Sequence, residues 1–106
     1  MNYADFAREM HAGMATMMRG MHVAGHSGDP DIDFLAMMIP HHEGAVEMAR
    51  LALIHGRDPL VRQLAEEIIA GQTTEVTAMR QRLARLSAGP DTQPDGFPAL
   101  GSTRGP

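Results

Sequence analysis

Met37-Met38-Ile39-Pro40-His41-His42-Glu43-Gly44-Ala45-Val46-Glu47-Met48 lies inside a run of helix-compatible residues bounded by two breaker groups. Upstream the bound is Gly25-His26-Ser27-Gly28-Asp29-Pro30, and downstream it is Gly56 followed by Asp58-Pro59. Clusters of Gly, Pro and Asp stop helices. The run therefore reads as one helix, opening with Asp31 or Asp33 as cap and ending at about His55 before Gly56. Pro40 falls inside it. Its ring removes one backbone donor and pushes at the carbonyl of Ala36, so a kink is expected just before His41-His42.

Working outward, Tyr3 to Val23 forms an earlier helix, with Phe6, Met10, Met14, Met17 and Met21 at amphipathic spacing and a second stripe of Ala7, His11, Met14, Met18 and His22 beside it. Gly13 and Gly20 weaken that helix, so packing or ligation must compensate. A third helix opens with Asp58 as cap and Pro59 at its first position. It runs to about Leu86, with Val61, Leu64, Ile68, Val76, Met79, Leu83 and Leu86 on one face; Gly71 is a candidate interruption. From Ala88 the residues Gly89, Pro90, Pro94, Gly96 and Pro98 break any helix, and 88–106 reads as a Pro/Gly-rich flexible tail to a helical domain of residues 1–87. The fold class is all-α, an up-down bundle of three helices. It leaves one side of the third helix without a partner, so a homodimer would complete it.

The bulk numbers fit one domain: 106 residues and 11.5 kDa support one modest core. Net charge is −4 and the nine basic residues are scattered, which argues against nucleic acid. No apolar run is long enough to span a membrane, and the N-terminus carries no export signal, so the chain reads as soluble. The departure from ordinary composition is ten Met and six His against no Cys and no Trp.

That bias falls where chemistry could sit. On a helix Met37 shares a face with His41, and Met38 with His42; Met48 lies two turns beyond His41. Imidazole and thioether together suit copper, with thioether selecting the reduced ion, so Cu(I) is favoured and Ag(I) is a further candidate. The first helix repeats the chemistry, offering His11, Met14, Met18 and His22 on one side. Methionine is also a flexible core filler, and each Met alone is explained as packing. Two adjacent His behind a Pro, flanked by Met, are harder to explain that way. His26, in a Gly-rich turn, and His55, at a helix end where it suits the dipole, read as structural.

Other chemistries lack their patterns. No Glu or Asp stands three residues before a His, as di-iron helices require, and Glu43 is not part of H-E-x-x-H. There is no phosphate loop, nucleophile elbow or Cys, so nothing demands an enzyme.

The string from Asp31 to Ala49, with Met37-Met38-Ile39-Pro40-His41-His42 at its centre, resembles the signature of the DUF305 family, whose members include the copper-binding CopM proteins. The stretches 64–69 and 75–79 resemble it too. The resemblance implies a ferritin-like helical bundle, an extracytoplasmic or periplasmic location, and a part in copper handling or tolerance. Carried over by position, it implicates His41, His42 and Met48 directly, and Met37, Met38 and Met79 as sites where Met recurs.

The leading expectation is a copper metallochaperone or buffer that holds Cu(I) between the first two helices. His41 or His42 would bind with Met48, Met38, Met14, Met18 and His11, and a copper-delivery protein would be its partner. The alternatives are a metal-dependent redox enzyme on the same bundle and a Met-rich helical interaction module without metal.

Overall fold

The computed structural model describes residues 2–89 and consists of three helices: α1 (Tyr3–Val23), α2 (Pro30–His55) and α3 (Pro59–Ser87). Of the expected 88–106 tail, all but Ala88 and Gly89 lies outside the described residues.

Each helix starts on a capping side chain. Asn2 opens α1 through a capping box, accepting from the Asp5 N–H at 3.0 Å while its own N–H donates to the Asp5 carboxylate. Arg8, hydrogen-bonded to that carboxylate at 2.5 Å, and the Asn2 N–H hold the Asp5 pKa below the usual range. Asp58 caps α3 by accepting from the Val61 N–H, with Pro59 at the first position.

For α2 the cap is Asp29, not Asp31 or Asp33. Pro30 takes the first helical position, and the Asp29 carboxylate accepts from the Asp31 N–H at 2.9 Å. Asp33 instead folds back on the turn, where its carboxylate accepts from the Ser27 N–H and hydroxyl at 2.8 and 2.7 Å and from the Gly28 N–H at 3.3 Å. α2 is continuous through Pro40, and α3 is continuous through Gly71, which does not interrupt it.

The arrangement is up-down-up, as expected, but open. α2 is the middle helix, packed by α1 on one flank and α3 on the other, and α1 and α3 do not pack on each other. The principal extents are 58 × 28 × 15 Å, the outline of a layer one helix thick.

On the α1 flank, small residues set the approach. Gly13 faces Glu47, Gly44 lies under Met17, Gly20 under Pro40, and Gly25 beside Met37, which defines an antiparallel register. A methyl group on Gly44 would sit 2.6 Å from the Met17 sulfur, and one on Gly20 2.7 Å from Pro40 Cβ. The packing that must compensate for glycine in α1 is this close contact. At its end His55 donates from Nε2 to Glu9 at 2.9 Å and stands edge-on to Phe6, so His55 ties α2 to the start of α1.

The α3 flank is held by His42 with Glu75, by Glu43 with Arg80, and by Arg62, which donates to the carbonyls of Leu53 and Gly56 at the α2 C-terminus. Buried residues are few: Ile39, Ala49, Leu51 and Ala65, together with His42. The expected apolar face of α3 is divided. Val76, Met79, Leu83 and Leu86 are half-buried, whereas Val61, Leu64 and Ile68 are exposed.

Candidate soft-metal centre

His41 and His42 are neighbours on a helix, so their side chains leave the axis about 100° apart. His42 points into the α2–α3 seam and is only 9% exposed. Its Nε2–H donates to Glu75 Oε1 at 2.6 Å, the tautomer that an ionised carboxylate acceptor selects. In the neutral ring this leaves a lone pair on Nδ1, which is buried and has no hydrogen-bond partner. Gln72 Oε1, one turn before Glu75 on α3, is likewise buried and unpartnered.

Two methionines belong to the same seam. Met38 stands one turn before His42 on α2, and Met79 one turn after Glu75 on α3. Because Arg62 reaches the Leu53 and Gly56 carbonyls while Glu75 reaches His42, α3 runs antiparallel to α2, and Met38 and Met79 fall at adjacent levels across the seam. Both are half-buried. The seam thus carries the His42 ring and two methionines on facing stretches of α2 and α3, from residues as far as 41 positions apart in sequence, with Glu75 hydrogen-bonded to the ring.

His41 is exposed, its ring centroid 5.9 Å from that of His42. Helical periodicity sets it on the broad face of the layer beside the α1 methionines Met14 and Met18, which are 43% and 59% exposed. Met21 joins that face by the same periodicity. Met37 reaches toward the α1–α2 turn, its sulfur beside Gly25. Met48 lines a hollow of about 320 Å³ between α2 and α3, with Ala45, Ala52, Val61 and Leu64 among its neighbours.

His11 and His22 lie on the side of α1 that faces away from α2, and both are exposed. The ten residues singled out in the sequence therefore do not converge on one centre between α1 and α2. They fall into a seam set (His42, Met38, Met79), an exposed set (His41, Met14, Met18, Met37), the half-buried Met48 in its hollow, and an outer pair (His11, His22). The α1–α2 contact is lined by Phe6, Gly13, Met17 and Gly20 instead. Of the remaining histidines, His26 Nε2 contacts the His22 carbonyl at 3.0 Å and His55 is engaged by Glu9.

Among the described residues no three His, Asp or Glu side chains come together as a metal-binding group. Glu75 and Gln72 had not been singled out in the sequence. No local spacing connects Glu75 to His42, since 33 residues separate them.

With this geometry in place, the comparison with known families is direct. Residues 2–83 match the family described as Domain of unknown function (DUF305). The chain belongs to the DUF305 family. The match covers α1, α2 and α3 as far as Leu83, so the His doublet, Glu75 and Met79 all lie inside the DUF305 domain. An uncharacterized protein of Acanthamoeba polyphaga mimivirus is 38% identical over 53 residues, which are 50% of this chain and 35% of the viral protein. The chain thus matches about a third of that relative's length. No helix of this DUF305 chain, among the described residues, is long and apolar enough to cross a membrane.

Proposed function

We propose that this DUF305 chain binds Cu(I) as cargo, acting as a metallochaperone or buffer in copper handling or tolerance, and that the ion enters the α2–α3 seam at His42. The observation that carries the reading is the state of that imidazole. Nε2 is anchored by Glu75 while Nδ1 is buried without a partner. Metal-ligating histidines commonly donate their second nitrogen to a carboxylate, which fixes the tautomer and raises the basicity of the ligating nitrogen. A buried polar atom left unpaired costs stability, and a structure retains it where it has a use. Met38 on α2 and Met79 on α3, both one turn from His42 toward the α2 N-terminus, would supply neutral, soft sulfur, which holds Cu(I) without adding ligand charge to the seam. Ag(I), similar in softness, would compete for it.

The exposed set would serve as the approach. His41 and Met18 offer weak, accessible ligands from which an ion passes inward to His42, and the same exposure is what transfer to a delivery partner needs. An extracytoplasmic or periplasmic location follows from this reading of the family.

The test is Cu(I) titration against a colorimetric chelator, with Zn(II) and Fe(II) as controls. Stoichiometric Cu(I) binding that is lost in His41→Ala/His42→Ala is the expected result; unchanged affinity in the double variant removes the site. A second reading draws on the exposure of Met14, Met18 and Met37: a Met-rich adaptable surface can dock a partner helix without metal. It takes over if the wild-type protein fails to compete with the chelator.

A further inference from the structure

The two broad faces of the helical layer differ in chemistry. One bears Glu43, Glu47, Arg50 and Arg80 and a groove of about 650 Å³ between α1 and α2 whose acidic residues are Glu9, Glu43 and Glu47. The other bears Tyr3, Met14, Phe34, Val61, Leu64 and Ile68, each at least 42% exposed. Periodicity places three charged residues on that second face, Asp31, Glu75 and Arg82. All three lie toward the α2 N-terminus, and Glu75 is already engaged by His42. From Ala45 to Ala52 on α2 and from Val61 to Ile68 on α3 the helices carry no charge on the second face; Arg57, in the α2–α3 turn beside Tyr3 and Val61, stands at its end.

We propose that two copies of this chain associate back to back through this second face, forming a six-helix, two-layer dimer centred on Met48, Leu64 and Ile68. Three observations select a second copy as the occupant. Domains are built from at least two packed layers, and this chain folds as one, with no large side chain fully buried among the described residues. The area suffices: half of the 58 × 28 Å outline equals the roughly 800 Å² per partner of a standard stable interface. The charge distribution also favours it. At a net charge of −4 two copies repel, and the half of this face that bears no carboxylate, with Arg57 alone at its end, is where identical surfaces meet with least repulsion. Pairing there would close the hollow beside Met48 and cover Val61, Leu64 and Ile68.

The pairing requires no metal, so its test is sedimentation of the full chain in the presence of a copper chelator, and its failure leaves the copper reading standing. Wild-type protein should sediment as a dimer at micromolar concentration. Leu64→Glu with Ile68→Glu should give a monomer with unchanged helical circular dichroism. Ile54→Glu, which removes an equally exposed apolar residue from the opposite face, should leave the dimer intact. Leu64→Ser is the milder variant should the double change disturb folding, with at least about tenfold weaker association expected. A wild-type monomer, whatever covers the face in it, overturns the proposal. So does a dimer that Leu64 and Ile68 variants leave intact, or one that Ile54→Glu disrupts equally.

Discussion

His41 and His42 form one motif in sequence and two environments in space, because a single residue step on a helix turns the side chain from the open face to the seam. On the copper reading the carboxylate of Glu75 would make His42 the better ligand, and its role can be isolated. Glu75→Gln keeps a hydrogen-bond acceptor at nearly the same place but removes the charge that orients and strengthens the imidazole. We expect Cu(I) affinity to fall about 10- to 100-fold, the usual effect of losing such a partner, with helical content unchanged. Competition against the same chelator reads it; an affinity equal to wild type would confine Glu75 to holding α3 against α2. The histidines and methionines of the candidate site stood out in the sequence because their residue types are rare together and their spacing is helical. Their grouping was not. Which side of α1 meets α2 is decided by Gly13 and Gly20, whose missing side chains admit Glu47 and Pro40, and those glycines read in sequence as weaknesses of the helix. With that side taken, His11 and His22 are turned outward.

At the scale of the helices, the glycines give paired predictions of opposite sign. Gly71 is in the interior of α3 with nothing near the position a Cβ would occupy. Gly71→Ala should therefore raise stability by about 0.5–1 kcal/mol through helix propensity alone. Gly44→Ala gains the same propensity but drives a methyl to within 2.9 Å of three atoms of Met17, including its Cβ, which cannot swing aside. Overpacking of this kind costs about 1–3 kcal/mol, so the net change should be destabilising. Urea unfolding of the two variants, compared at equal protein concentration, checks both signs. The α1–α2 turn adds a pH dependence. The Ser27 hydroxyl and N–H lower the Asp33 pKa below its ordinary value. A depressed folded pKa means that the contribution is complete above the ordinary aspartate range and is lost as pH falls from that range through the depressed value. Amide exchange at Ser27 and Gly28 should accelerate across that acid window in wild type and show no such step in Asp33→Asn. Apart from the α2 start, helix limits were readable from the sequence to within a residue or so because the Asp-Pro start of α3 and the Gly end of α2 are local signals. The α2 cap was misread for a local reason too. Asp29-Pro30 repeats the grammar of Asp58-Pro59, but its position at the end of a Gly-rich cluster disguised it as loop. The division of the α3 stripe had no local signal, since only the docking of Ala65 against α2 shows which arc of α3 is covered.

For the whole molecule, the decisive property is thickness. Among the described residues, a layer 15 Å deep has two faces and no interior of its own, so their burial is confined to the two seams beside α2. Composition foretold an incomplete bundle: three helices, few aromatics and a long third helix with spare apolar residues. It could not foretell that the incompleteness would take the form of an entire face. If that face closes on a second copy, folding and association become one equilibrium, and stability must then depend on concentration. Each tenfold increase in protein adds about 1.4 kcal/mol to the free energy of unfolding a dimer into two chains. The unfolding entropy, about 2.1 cal/mol/K per residue summed over the helical parts of both chains, converts this into a rise in Tm of about 3–4 °C per decade. Wild-type protein should show that slope, and Leu64→Glu with Ile68→Glu should melt lower with a Tm independent of concentration. A flat Tm in the wild type would mean that the single layer is stable unaided, in which case its exposed methionines and leucines are kept for a different partner.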